Sequence, residues 1–221
     1  MKLFVKAVSL FALGAALVGA LIFLPAGTLA YPKGWLFMAL LFVPMFCAGL
    51  VMLAKSPALL EKRLQAKEKQ GEQKAVIRGS GLMFLAGFVV SGLDFRFGWS
   101  HFPLWLTVAA CVVFLAAYGI YAEVLRENAY LSRTIEVQEG QKVIDTGLYG
   151  IVRHPMYFAT VLLFWAMPLV LGSWVGFLVF LVYPMLLVKR IRNEEEVLKK
   201  GLAGYADYLK KVRWRLIPYI W

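Results

Sequence analysis

Residues 156–188 read MYFATVLLFWAMPLVL, then Gly172-Ser173, then WVGFLVFLVYPMLLV. No charged residue interrupts them. A helix needs about 20 mostly apolar residues to cross roughly 30 Å of hydrocarbon. Two apolar runs separated only by Gly-Ser predict an antiparallel helical hairpin. Gly-Ser cannot continue a helix well, and two residues leave room for a turn and little else. A single bent helix of that length would overrun the bilayer.

Working outward, four more apolar runs precede the hairpin: Phe4–Leu24, Trp35–Ala54, a short one at Ser80–Leu93, and Phe102–Ala122. The expectation is an all-α, polytopic transmembrane bundle of about six spans. Composition agrees. Of 221 residues, 61% are apolar and 17% charged, against about 25% charged in soluble proteins, and the mean hydropathy is +0.70. Disorder requires low hydrophobicity, and a disulfide scaffold requires more than the two cysteines present. Cys47 and Cys111 fall inside expected helices and read as free thiols. The first run has the basic start of a secretion signal (Lys2, Lys6) and ends near Thr28-Leu29-Ala30. Its apolar core exceeds the 7–15 residues of such signals, so a retained helix is expected.

Six spans place 22 of the 24 lysines and arginines on the side of both termini, leaving Lys33 and Arg96 opposite. By the positive-inside rule that side is cytoplasmic, the inner face of the inner membrane if the source is bacterial. The net charge of +11 is then an orientation signal that also suits anionic headgroups. Cations hugging span ends argue against nucleic acid as a partner.

The polar segments carry the function. Ser56-Pro57 reads as a helix start, with Leu59, Leu60 and Leu64 on one face and Gly71 as a stop, which predicts an interfacial helix. Lys67 to Lys74 reads equally well as a solvated connector. Glu123 to His154 is a long loop, with Val143-Ile144 as a short extended piece and Asp145-Thr146-Gly147 as a turn. From Lys189 the tail is amphipathic through Leu198, Leu202, Tyr205, Leu209 and Val212, with a break near Gly201 or Gly204. Trp214, Tyr219 and Trp221 read as interface anchors. The chain divides into residues 1–122, helices with an amphipathic loop at about 55–79, and residues 123–221, where the chemistry lies.

Two clusters offer that chemistry. Arg153-His154-Pro155-Met156-Tyr157 opens the hairpin, and the residue before proline is pushed out of the helical region, so free backbone groups face any ligand there. Arg192-Asn193-Glu194-Glu195-Glu196 follows the sixth span, with Arg192 and Glu196 one helical turn apart. Taken singly, each reads more simply as interface anchors or as a solvated acidic patch. The hairpin brings both beside the long loop, which gives cationic, anionic and aromatic groups over an apolar wall, a setting for a zwitterion.

The run Gln138–Tyr157 ending in RHPMY, then a hairpin and R-x-E-E-E, resembles the isoprenylcysteine carboxyl methyltransferase family, with phospholipid N-methyltransferases as wider relatives. The resemblance covers about Asn128 to Pro218, with Ser56–Arg63 a weaker echo. It implies an S-adenosylmethionine site without a Rossmann fold and without a metal. On the matching positions, Gln138, Gln141, Lys142, Val143, Ile144 and Tyr149 line the cofactor, and His154, Pro155, Met156 and Tyr157 form a corner around it. Glu196 holds the cofactor, and Arg192 orients the acceptor, with Arg153 and Tyr157 beside the reacting groups. The expected partners are the bilayer and an apolar or lipid-like methyl acceptor, with carboxyl O-methylation favoured over amine N-methylation. Two other readings stand beside this one: a sterol-reductase-like enzyme using a reduced nicotinamide, which shares an HPxY-like corner but generally has more spans, and a non-catalytic membrane assembly or regulatory factor.

Overall fold

The computed structural model describes residues 2–64, 71–131, 135 and 137–221. Lys67, Lys69 and Arg133 of the expected basic loops lie outside the described residues. The helices are α1 (Lys2–Ala26), α2 (Pro32–Lys55), α3 (Pro57–Leu64), α4 (Gly71–Phe97), α5 (Leu104–Glu127), α6 (Pro155–Leu171), α7 (Trp174–Phe180), α8 (Tyr183–Gly201) and α9 (Tyr205–Lys211). The chain is thus a polytopic helical membrane bundle, with no strand among the described residues.

Five helical segments are long and apolar enough to cross a bilayer: Leu3–Ala26, Pro32–Lys55, Lys74–Phe97, Leu104–Glu127 and Trp174–Gly201. The remaining apolar helix, α6, has 17 residues, about 26 Å of helix. Three expectations are corrected. The third span is long rather than short, because the helix runs on past Arg78, Asp94 and Arg96, whose side chains sit near the span ends. Gly71 opens α4 instead of stopping α3. The sixth run is two helices, α7 and α8, rather than one. The line drawn at residues 122 and 123 falls inside α5, which continues to Glu127 and packs extensively along α6.

Proline and glycine set the hairpin geometry. Pro155 begins α6 at a position where the missing N–H is harmless. Gly172, at φ 78°, closes α6: its N–H donates to the Leu169 carbonyl, and the Ser173 N–H donates to the Pro168 carbonyl. Ser173 then caps α7 by accepting from the Gly176 N–H at 2.8 Å. The final span is broken at Leu181-Val182, because Pro184 has no N–H to give the Phe180 carbonyl one turn back. The indole N–H of Trp165, on the facing α6, donates to that carbonyl at 3.2 Å. Backbone groups at membrane depth need such substitutes.

The core is aromatic. Phe37, Phe88, Phe114 and Phe180 are buried, with Phe84 and Phe164 packed against them. Helices in lipid gain little from hydrophobic exclusion and depend on close packing at small residues. Gly87 and Gly92 of α4 provide it: a Cβ at Gly87 would sit 2.3 Å from a Phe180 ring carbon, and one at Gly92 2.5 Å from the Ile22 carbonyl oxygen.

The bundle has two polar ends. At one, the α1–α2, α4–α5 and α6–α7 turns meet: the Tyr31 hydroxyl donates to the Leu171 carbonyl at 2.6 Å, and the Trp174 N–H to the Ser100 hydroxyl at 3.0 Å. At the other, the loop after α5, the α6 start and the tail after α8 meet, with the Arg153 and His154 N–H groups donating to the Trp214 and Arg215 carbonyls, each at 2.9 Å.

Trp165→Phe should lower stability by about 1–2 kcal/mol, since it leaves the Phe180 carbonyl without its indole donor. In a Pro184→Ala background, where residue 184 regains an N–H, the same change should cost much less. A double-mutant cycle from unfolding in detergent measures the difference, and equal costs in both backgrounds would exclude this role for Trp165.

Candidate active site

α8 presents three stripes at four-residue spacing. Tyr183, Leu187, Ile191 and Glu195 are buried. Arg190, Glu194 and Leu198 line an open cleft of about 860 Å³ counted to its mouth. Arg192 and Glu196 are on the exposed face. The glutamate run therefore splits by direction: one carboxylate goes inward, one faces the cleft and one faces outward.

Glu195 is 2% exposed, and a lone buried carboxylate would be prohibitively costly. Its Oε1 accepts from an Arg153 Nη at 2.8 Å, and its Oε2 from Arg215 Nε at 3.1 Å. His154 Nε2 lies 3.5 Å from the same carboxylate and has no hydrogen-bond partner among the described residues. Arg153 also donates from Nε to the Val212 carbonyl at 2.7 Å and from an Nη to the Arg213 carbonyl at 2.9 Å. Arg153 thus ties the start of the hairpin to the tail, and it touches the cleft as well.

The cleft floor is a bridged triad. The Tyr157 hydroxyl donates to Glu194 Oε2 and accepts from Arg190 Nε at 2.9 Å. Glu194 lines the cleft, and its other carboxylate oxygen has no hydrogen bond among the described residues. The His154 and Tyr157 rings stack with centroids 5.6 Å apart.

Of the residues expected from sequence, the structure brings Gln141, Lys142, Val143, Ile144, Tyr149, Arg153, His154, Met156 and Tyr157 together around this cleft. Four do not line it. Gln138 braces the loop, its N–H donating to the Gln141 side chain at 2.8 Å and its amide to the Tyr130 carbonyl. Pro155 is buried as the first residue of α6. Arg192 and Glu196 point away. Sequence reasoning missed Arg190, Glu194, Asn128 and the tail residues Leu202, Tyr205 and Tyr208 that close the cleft. The signal for the first two was present: counting in fours from buried Tyr183 ends on Glu195, which leaves Arg190 and Glu194 on the neighbouring stripe.

The tail breaks at Gly204, φ 81°, near the position expected from sequence. The Tyr208 hydroxyl donates to the Tyr149 carbonyl at 2.8 Å, and the Asn128 amide donates to the Tyr149 hydroxyl at 3.0 Å. Burial, reinforced by the Glu194 charge, pushes the Tyr149 phenol up to about 12. Burial likewise raises Tyr205 and Tyr208, with carboxylate charge from Glu195 adding to both. These phenols stay protonated near neutral pH and serve as donors and ring walls. The cleft can therefore grip a molecule that carries both a cation and an anion and has an aromatic or apolar body: Glu194 for the cation, Lys142 and Arg190 near the anion, and tyrosines and aliphatics for the rest.

Residues 104–203 match a family model described as phospholipid methyltransferase. The protein-S-isoprenylcysteine O-methyltransferase of Dictyostelium discoideum is 28% identical over 166 residues, covering 66% of this chain and 65% of that protein. The matched residues are thus similar to a phospholipid methyltransferase model and to an isoprenylcysteine methyltransferase. Two sterol reductases are also similar. The Delta(14)-sterol reductase of Mus musculus is 33% identical over 91 residues, 40% of this chain and 22% of that protein. The Delta(14)-sterol reductase of Methylotuvimicrobium alcaliphilum is 26% identical over 134 residues, 54% and 31% of the two chains. The chain thus spans under a third of the length of these two reductases.

Glu195→Ala should destabilise the protein by about 3 kcal/mol or more, since it strands two arginines, and should free the tail from about Val212 onward to proteolysis. Glu196→Ala should change neither. Unfolding in detergent and limited proteolysis measure both effects.

Proposed function

We propose that this chain is a membrane-embedded, S-adenosylmethionine-dependent methyltransferase acting on a lipid-like acceptor. The observation that carries the reading is the Glu194–Tyr157–Arg190 triad, whose three side chains are hydrogen-bonded together and line one cleft. The family match supports the reaction class. When bound, S-adenosylmethionine supplies an electrophilic methyl group on a sulfonium.

The chain's own residues do the rest. Glu194 holds the cofactor's ammonium or offsets its sulfonium charge, the role the sequence resemblance gave to Glu196. Lys142 and Arg190 attract carboxylates, and Arg190 takes the acceptor-orienting role first read at Arg192. Tyr157 fixes the spacing of Arg190 and Glu194, and the tyrosine walls keep water out. Excluding water favours transfer to a carboxylate, because opposite charges cancel as the bond forms. Productive transfer needs the acceptor oxygen in line with the methyl at about 3–3.5 Å. Carboxyl O-methylation of a prenylcysteine-like acceptor is favoured, with N-methylation of an amino-headgroup lipid second. The cation distribution supports a cytoplasmic site, with both termini on that side.

The reductase similarities support a second reading, in which the same corner binds a reduced nicotinamide dinucleotide. Calorimetry on the full chain in detergent separates them. S-adenosylmethionine should bind, and Glu194→Gln should weaken it roughly tenfold or more, equivalent to about 1.4 kcal/mol, with Glu196→Gln unchanged. Binding of NADPH without S-adenosylmethionine would overturn the methyltransferase reading. Methyl incorporation from labelled cofactor into a lipid extract identifies the acceptor class.

A further inference from the structure

The end of the bundle opposite the cleft holds a second cavity, of about 600 Å³ counted to its mouth. It lies where the three turns meet, lined by Tyr31, Lys33, Asp94, Phe95, Ser100 and the Leu171-Gly172 corner. Asp94 is 2% exposed. Its Oδ1 accepts from the Ser100 N–H at 2.7 Å, and its Oδ2 accepts from the Ser100 hydroxyl at 2.6 Å and from the Ser173 hydroxyl. All three donors are neutral, and no cation pairs with Asp94 among the described residues. Glu195, the buried carboxylate at the other end, has two guanidiniums. An ionisable group held in a membrane helix without a counter-charge marks a functional site by default.

Lys33 lines the same cavity. Its ammonium reaches over the α6–α7 turn, donates to the Phe102 carbonyl at 3.4 Å and lies 5.1 Å from the centre of the Phe102 ring. No carboxylate pairs with it among the described residues. Tyr31 and Phe95 stack with centroids 4.0 Å apart and give the cavity an aromatic wall. Trp35, Trp99, Trp105 and Trp174 are exposed around this end, the placement of an aromatic belt at headgroup level. The cavity thus presents one uncompensated anion, one uncompensated cation and an aromatic surface where lipid headgroups lie.

We propose that this cavity binds the headgroup of a zwitterionic phospholipid, with its phosphate on Lys33 and its ammonium on Asp94 and the Tyr31–Phe95 wall. Carboxylate and ring face together are the recognised means of holding an alkylammonium. An anionic glycerol headgroup offers Asp94 hydroxyl donors but no positive charge, so the site discriminates by charge pattern. This inference is independent of the methyltransferase reading, since it concerns the other face of the bundle.

Native mass spectrometry of the full chain in detergent tests it, with phosphatidylethanolamine and phosphatidylglycerol as probes. Wild type should retain one phosphatidylethanolamine in at least tenfold preference to phosphatidylglycerol. Lys33→Gln should weaken that retention about tenfold, and Asp94→Asn should erase the preference. Glu194→Gln, at the far end, should leave this lipid in place. If Asp94→Asn does not fold, the Lys33→Gln comparison decides. Equal retention of both lipids by wild type, retention unchanged in Lys33→Gln, or loss in Glu194→Gln would overturn the proposal. Soluble glycerophosphoethanolamine binding as tightly as the lipid would also overturn it, in favour of a free solute.

Discussion

The functional end of this protein depends on keeping one carboxylate charged out of water. Moving an ion that size into a poorly polarisable interior costs several kcal/mol even after relaxation. Glu195 is tolerated because Arg153 and Arg215 converge on it from opposite sides. Neither arginine is its neighbour in sequence. Arg153 belongs to the start of the hairpin and Arg215 to the tail, so satisfying a single side chain fixes three parts of the chain relative to one another. The guanidinium of Arg153 does more: it supplies donors to the Val212 and Arg213 carbonyls just past α9. It also donates to the Leu209 carbonyl at 3.4 Å, one of the acceptors that a helix end leaves without partners. The ion cluster and the helix cap are one device.

That device determines what the cleft can be. Glu194 and Glu195 are consecutive residues on a helix, so anchoring one orients the other. With Glu195 locked inward, Glu194 must face roughly a hundred degrees around the axis, toward the cleft, and Glu196 a similar step the other way. Tyr157, one turn into α6, then meets Glu194 and Arg190 as a consequence of where Arg153 is tied. Arg190 and Glu194 lie one turn apart on α8 and share the Tyr157 hydroxyl, so the cleft's cation and anion are held at fixed spacing. A rigid site of this kind suits a ligand whose own charges are fixed relative to each other.

Much of this was legible in the sequence, unevenly. The hairpin at Gly172-Ser173 was plain, because apolar runs and a breaking dipeptide are local signals. So was the RHPMY corner, since proline dictates the backbone before it. The helix directions of the glutamates were not taken correctly from the motif, because R-x-E-E-E draws the eye to Arg192 and Glu196, while the buried stripe from Tyr183 assigns the inward place to Glu195. The length of α4 was underestimated, because Arg78, Asp94 and Arg96 end a hydropathy window without ending a helix. Gly71 was read as a stop, and glycine carries no direction: the same residue opens a helix as readily as it closes one. The run Trp174–Val188 reads as one helix by hydropathy and hides the break before Pro184, and the compensating indole of Trp165 is a long-range contact that no local pattern encodes. Asp94 was hidden for a similar reason, since its partners Ser100 and Ser173 lie on different turns.

The family match ends at residue 203, before α9 and before Arg215. The matched segment therefore contains the cleft's floor, Tyr157, Arg190 and Glu194, and the anchored Glu195, but only one of the two arginines that neutralise it. Proteins named for different activities, a methyltransferase and sterol reductases, are similar to this chain across parts of its length. A frame that holds a charged cofactor at the membrane surface can serve either chemistry, because positioning is separable from the reaction the cofactor performs. Specificity must then come from what lies around the frame. On one side that is the tail, which closes the cleft with Leu202, Tyr205 and Tyr208. On the other it is the bilayer-facing helices α1 to α4, of which α4 comes close to the hairpin at Gly87, where a Cβ would meet the Phe180 ring.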